Sequence, residues 1–186
     1  MRRLRTALAT TAVACLLTAC GGGGNPEPAP LPRTSSPSPT ASPSATPPVM
    51  PAAARGNSRH SAQAFVRHYV DVLNYATFTG DTAAARTLDD ASCKSCQRML
   101  GAIDSIYRGQ GAVVGGAWAP TPIGDARFPD RQGWTIDARI RYGPQTVTER
   151  SGAAPKRYTG GSRIVSFILR ATTNGGWSVS EWTRSG

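Results

Sequence analysis

Ten of the chain's fifteen prolines lie between residues 21 and 55, and that stretch decides where folding can begin. Gly, Ser, Thr and Ala fill the gaps, with no aromatic residue and almost no aliphatic one. Such a segment cannot bury enough apolar surface to offset the entropy lost on ordering, so residues 20–55 are expected to be an unfolded linker. Its prolines favour extended polyproline II, about 3.1 Å per residue, and its use would be reach. Residues 56–186 are then a single domain with one core, and no internal repeat is visible.

Within that domain, helical spacing comes first and alternation second. Ser58 is a credible N-cap, followed by Ala62, Phe65, Val66, Tyr69, Leu73 and Ala76 on one apolar stripe. Gly80 should stop this helix and Asp81 should cap a short second one over residues 82–88. Ser92 is the expected cap of a third, whose inner face reads Cys96, Met99, Leu100, Ile103, Ile106 and Tyr107 before Gly109 and Gly111. Strand patterns follow. Residues 112–119 form a Gly-interrupted run, and residues 134–142 alternate Trp134, Ile136, Ala138, Ile140 and Tyr142 against Thr135, Asp137, Arg139 and Arg141. Residues 145–150 should pair back on that strand across Gly143-Pro144, with Pro120-Thr121-Pro122 left in a loop. Residues 163–171 are apolar on both faces and so central, and Asn174-Gly175-Gly176 marks a hairpin returning through Trp177 to Trp182. The fold class is α+β: three N-terminal helices packed on a curved antiparallel sheet.

The first nineteen residues have the layout of a signal peptide: Arg2, Arg3 and Arg5, then an uncharged run from Ala7 to Ala19. The run is too short to span a bilayer, which takes about 20 apolar residues. Leu17-Thr18-Ala19-Cys20, with glycines after it, resembles the lipobox of bacterial lipoproteins, which are lipidated on that cysteine and cleaved before it. The expected location is therefore the extracytoplasmic face of the cell membrane, anchored through Cys20. Cys15 would leave with the signal, so Cys93 and Cys96 remain as the only pair, in a compartment where disulfides persist. Residues 56–186 carry sixteen cations and ten acids, a net +6, dispersed without a run. That pattern is first a solvated face and does not point to nucleic acid. It favours a membrane surface, a cell-envelope protein or an anionic polymer as partner.

Phe65 to Tyr69, Asp71, Leu73-Asn74-Tyr75-Ala76, Thr79-Gly80-Asp81, Ser92-Cys93-Lys94-Ser95-Cys96 and Gly115-Gly116-Ala117-Trp118 occur in that order. With the lipobox and the proline-rich linker, the set resembles an actinobacterial lipoprotein family known as domain of unknown function 6318. The resemblance covers essentially the whole folded part. It implies the nuclear transport factor 2-like cone, in which helices pack into the concave side of a curved sheet. It implies no activity.

Candidate chemistry is sparse. Cys93 and Cys96, at i and i+3 at a helix start, place Cα atoms roughly 5 Å apart, within disulfide range. A structural bond is favoured over a redox pair, because the strand, βαβ frame and opposing cis-proline of a thioredoxin-like site are missing from the pattern. His60 and His68, about 80° apart around a helix, share no face, and no second cysteine pair offers a metal site. A cavity between helices and sheet could be lined by Tyr69, Tyr107, Trp118, Trp134 and Tyr142, with Trp177 and Trp182 nearby; filling of the core by these rings is the favoured reading. Asp71, Asp104 and Asp137 lie on polar faces without a paired base, and the glycines of 111–116 do not open a helix. Asn74, Thr79, Gly80 and Asp81 read as a helix–turn–helix corner. No catalytic residue, cofactor or metal is assigned.

The expected function is accordingly a non-catalytic, membrane-anchored binding module for an envelope partner or small ligand. The alternative is a small-molecule enzyme or scavenger using an interior cavity. For the anchor, Cys20→Ser should release the protein from the membrane fraction. A Cys20→Ser chain that stays membrane-bound at wild-type levels overturns the lipobox reading.

Overall fold

The structure, a computed structural model, describes residues 46–130 and 132–185. The signal segment, Cys20 and the linker up to residue 45 lie outside the described residues. No helix among the described residues is long and apolar enough to cross a membrane. Helix α1 spans Arg59–Thr79. Its start is fixed by Ser58, whose Oγ accepts the Ser61 N–H at 3.1 Å, relieving one of the orphan donors of the first turn. The stripe Ala62, Phe65, Val66, Tyr69, Leu73 and Ala76 is buried throughout, but so are Ala64, His68, Val70 and Val72. The helix is therefore enclosed on most sides, and Arg67 and Asp71 mark its exposed face.

Gly80 closes α1 in the left-handed region at φ 79°. A Cβ there would also lie 2.4 Å from Cγ of Tyr107, so the position has no room for a side chain. Helix α2 (Ala83–Leu88) starts one residue later than expected, yet the Asp81 carboxylate accepts the Ala83 N–H at 3.0 Å and does serve its end. Helix α3 (Lys94–Arg108) is capped by Cys93, one residue after the expected Ser92: Cys93 Sγ accepts the Cys96 N–H at 3.2 Å. Ser92 is drawn away by Asp90, which takes both its N–H and its Oγ–H. Cys93 and Cys96 are disulfide-bonded with Cα atoms 5.3 Å apart.

Order also begins earlier than residue 56. A 3-10 turn at Ala52–Ala54 buries Ala54, Met50 packs on the core, and the Gly56 N–H reaches Gly175 O at 3.1 Å. Short side chains let these few residues seat against α1 despite the flanking prolines.

Among the described residues, seven strands form two antiparallel sheets: β1 (Ala112–Gly115), β4 (Gln145–Thr148) and β5 (Lys156–Tyr158) in one, and β2 (Trp118–Arg127), β3 (Gly133–Tyr142), β6 (Gly161–Ala171) and β7 (Trp177–Ser185) in the other. The order β1-β4-β5 matches β2-β3-β6 strand for strand, with β7 added at the outer edge of the second. β1 runs into β2, β3 into β4 and β5 into β6 across two residues each. The two sheets are thus one sheet, bent along a line through Gly116-Ala117, Gly143-Pro144 and Thr159-Gly160. Gly115 and Gly116 both turn left-handed there, and a Cβ on Gly115 would meet Pro144 O at 2.5 Å. Residues 145–148 therefore continue β3 past the bend and pair with β1 and β5, instead of folding back on β3 as the sequence reading expected.

Two bulges complete the curvature. One, at Ile123, moves the inward positions of β2 from Trp118, Pro120 and Pro122 to Asp125 and Arg127, opposite Ile136 and Trp134. Asp125 then meets Arg59 Nε at 2.7 Å and Gln63 Nε2 at 3.2 Å, docking the start of α1. The other leaves Ser180 unpaired between Val179 and Glu181, so that Val179 and Trp182 both face inward. The expected loop at Pro120-Thr121-Pro122 is strand. Its prolines are accommodated because β2 is an edge, where a missing N–H costs no ladder bond.

The edge is held by α1. Asn74 Oδ1 accepts the Trp118 N–H and Asn74 Nδ2 donates to Trp118 O, both at 2.8 Å. Asn74→Ala should lower stability by about 2 kcal/mol, the scale for leaving two such groups without their partner. Asn74→Asp should cost nearly as much, since a carboxylate would face Trp118 O. Denaturant unfolding measures both, and an unchanged midpoint in either variant contradicts the clamp.

Candidate functional site

Rings and aliphatic side chains pack the interior between α1 and the middle of the four-stranded sheet. Phe65, Tyr69, Phe167, Ile136, Ile140 and Leu169 are all completely or almost completely buried there, with Tyr69 edge-on to Phe167 at 6.1 Å. Tyr69, expected as pocket lining, is thus a core residue whose hydroxyl donates to Asp89 Oδ1 at 2.7 Å. Tyr107 lies over Gly80 and donates to Thr77 O at 2.8 Å, closing the α1–α2 corner. Trp134 lies at the start of β3, under the Arg127 guanidinium at 5.6 Å. Trp118 and Tyr142 lie at the other end, opposite each other on β2 and β3. The five rings therefore share no single cavity, because the 3.3 Å rise per strand residue keeps Trp134 and Tyr142 far apart on β3.

At the bend, Trp118 meets Trp182 edge to face, with centroids 6.3 Å apart. These residues belong to β2 and β7, opposite edges of a four-stranded sheet whose outer strands would be about 14 Å apart if flat. Their contact records how strongly the sheet curls. Around them lies an open cleft of about 650 Å³ between α3 and β7, lined by Ser95, Arg98, Met99, Trp118, Trp182 and Arg184. Two further depressions share Trp118 and Gly116: one of about 200 Å³ under α3, one of about 340 Å³ reaching Tyr142, Tyr158 and Arg163. Arg163 stands over the Tyr142 ring at 4.4 Å.

The cleft wall is fixed from the disulfide outward. Cys93 and Cys96 are fully buried at the head of α3, which suits a structural bond and leaves no accessible sulfur for exchange. Ser95 lies in the same turn, 3.5 Å from Cys93 Sγ, and its Oγ accepts the Trp182 N–H at 3.0 Å. Trp182 Nε1 is shielded from solvent and has no acceptor among the described residues. A buried donor without a partner costs about 1–3 kcal/mol, and such groups concentrate where function competes with stability.

Sequence reasoning included Trp182 among the rings but could not place it. The signal was present: Trp177, Val179 and Trp182 break strict alternation, and a one-residue bulge is what puts all three on one face. Arg98, Arg163 and Arg184 carried no local signal. The acids weighed as catalytic groups are engaged elsewhere. Asp137 accepts from Ser166, and Asp104 accepts from Thr82 and Arg86. Asp71 lies near His68, and burial pushes the first up and the second down. No three or more His, Cys, Asp or Glu gather as a metal site among the described residues.

Asp89 stands apart. Burial pushes its carboxyl up to about 6, against the Tyr69 hydrogen bond and the nearby Arg86 charge. An acid with a raised folded pKa binds its proton more tightly when folded, so its stabilising contribution is full below about pH 4 and is lost as pH rises through about 6. Wild type should therefore lose stability relative to Asp89→Asn between pH 4 and 7, read from paired melting curves. A constant difference across that window contradicts the raised value.

The intermembrane-space region of the chloroplast protein ARC6 is similar in structure at a TM-score of 0.53 and 7% identity, covering 68% of this chain and 95% of that one. A nuclear transport factor 2-like superfamily protein from Salmonella enterica serovar Typhimurium LT2 is similar at a TM-score of 0.43 and 10% identity, covering 69% and 93%. The first likeness shows a shared fold and nothing of function. None of the curated proteins compared with the chain matches it. The model of a family of unknown function, DUF6318, matches residues 38–183, and the chain belongs to that family.

Proposed function

We propose that the chain is a membrane-anchored extracytoplasmic lipoprotein whose domain is a non-catalytic binding module, presenting the cleft at the sheet bend to a cell-envelope partner or ligand. One observation carries this reading: the interior is packed with Phe65, Tyr69 and Phe167, while the open recess at Trp118 and Trp182 exposes rings, cations and hydroxyls. The depression of about 200 Å³ left between α1, α3 and the sheet is lined by groups such as Leu73, Thr77, Ile103, Ile106, Val113 and Val147, with no carboxylate or tyrosine hydroxyl for an enzyme or scavenger to use. Tyr69 and Asp89, the buried acid–phenol pair, are bonded to each other and lie outside the cleft lining. An open recess with aromatic faces holds a ligand by stacking and peripheral hydrogen bonds, without excluding water as bond-making chemistry requires.

The four tryptophans make the test internal. Trp118 and Trp182 line the recess, whereas Trp177 is buried against Ser61 and Trp134 lies at the far end of β3. A panel of neutral and charged saccharides and small aromatic acids should shift the indole resonances of Trp118 and Trp182 saturably and leave the other two unmoved. Each panel member should be recovered chemically unchanged. Shifts confined to Trp134 or Trp177, no shift at all, or turnover of a panel member overturns the proposal.

A further inference from the structure

We infer that the recess takes an acidic sugar polymer, a chain of pyranose rings bearing carboxylate or phosphate groups; this rests on the reading of the recess as a binding site. The charge argument comes first. Arg98 from α3, Arg163 from β6 and Arg184 from β7 border the connected depressions, against Glu181 alone. None of the three arginines has a carboxylate within ion-pair distance among the described residues, whereas Arg59, Arg86, Lys156 and Arg170 are all paired. Unpaired guanidinium groups converging from three elements leave their donors open to bidentate capture of anionic oxygens.

The rings define the rest of the ligand. Trp118, Trp182 and half-exposed Tyr158 supply flat apolar faces between those cations, while Tyr142 holds the Arg163 guanidinium over its own ring. The C–H face of a pyranose lies flat on such rings, while its substituents point outward to arginine. The depressions are open and joined through Trp118, so a chain can cross them, whereas a small molecule would be held on one side only.

Two other occupants fit less well. An extended peptide gains most from adding a strand to a free sheet edge. Here β2 offers Pro120 and Pro122 and a Trp118 already bonded by Asn74. On β7, Ser95 takes the Trp182 N–H and the Asp90 N–H takes Val179 O at 2.8 Å. The chain's own proline-rich stretch, residues 21–55, carries Glu27 against Arg33 and Arg55, so it has no net negative charge to offer.

The experiment uses the full chain in neutral phosphatidylcholine nanodiscs without free detergent, with polygalacturonate, neutral dextran, poly-L-glutamate and phosphatidylglycerol vesicles as probes, followed by calorimetry and the Trp118 and Trp182 resonances. Polygalacturonate should bind, weaken with added salt, and exceed the other three. Arg98→Gln with Arg184→Gln, both exposed, should weaken it about tenfold or more. Arg139→Gln with Arg141→Gln, on the opposite face of the sheet, should leave it unchanged and controls for loss of net charge. Equal binding of poly-L-glutamate, preference for the vesicles, equal losses in both double variants, or no binding of polygalacturonate overturns the inference. If uncharged saccharides shift Trp118 and Trp182 while polygalacturonate does not, only the ligand class fails. Silence at both rings with every probe removes the binding reading as well.

Discussion

The bend through Gly116, Gly143 and Gly160 is the constraint on which the remaining structure depends. Three strands break within two residues of one another in register and resume in the same order, so one sheet acquires two planes. A side chain on Gly115 or Gly116 would collide with Pro144 or Gln145. The backbones therefore approach at the bend more closely than substituted residues allow. Three rings of the recess lie along this line: Trp118 just after one break, Tyr142 just before another, Tyr158 at the third.

Curvature of that degree has to be anchored, and α1 supplies the anchor at both ends. Asp125, brought inward by a bulge, holds the first turn of the helix, and Asn74 holds the edge of β2 near its last. Between these polar contacts the interface is apolar and dense, the usual state of a protein interior, in which the loss of a few methylenes is felt. The helix is consequently buried on more sides than an amphipathic stripe requires. The packed interior and the open recess are two results of one arrangement: the rings that fit under α1 are consumed by the core, and those beyond its end remain at the surface.

Much of this was legible in the sequence. Ser58, Gly80 and the alternation of residues 134–142 announced a helix, its end and a central strand, because each depends on near neighbours alone. The hairpin at Asn174-Gly175-Gly176 was equally local. What escaped was any feature requiring two distant segments at once. Residues 143–144 look the same whether the chain reverses or merely bends. The choice is made by β1 and β5, thirty residues before and ten after. Pro120 and Pro122 looked like loop because edge position is a property of the sheet, not of the dipeptide. The site was half visible for the same reason: its rings are conspicuous in sequence, while the convergence of Arg98, Arg163 and Arg184 exists only once α3, β6 and β7 have met.

The attachment of Gly56 to Gly175 gives the domain a polarity. Gly175 belongs to the turn between β6 and β7, and the start of α1 sits beside it, with Trp177 donating to Ser61. Trp118 and Tyr142 lie at the opposite end of β3, whose ten residues span roughly 33 Å, while Trp182, opposite Phe167, reaches Trp118 only because the sheet curls. The domain therefore receives residues 50–58 at one end of β3 and opens its ring-lined recess toward the other.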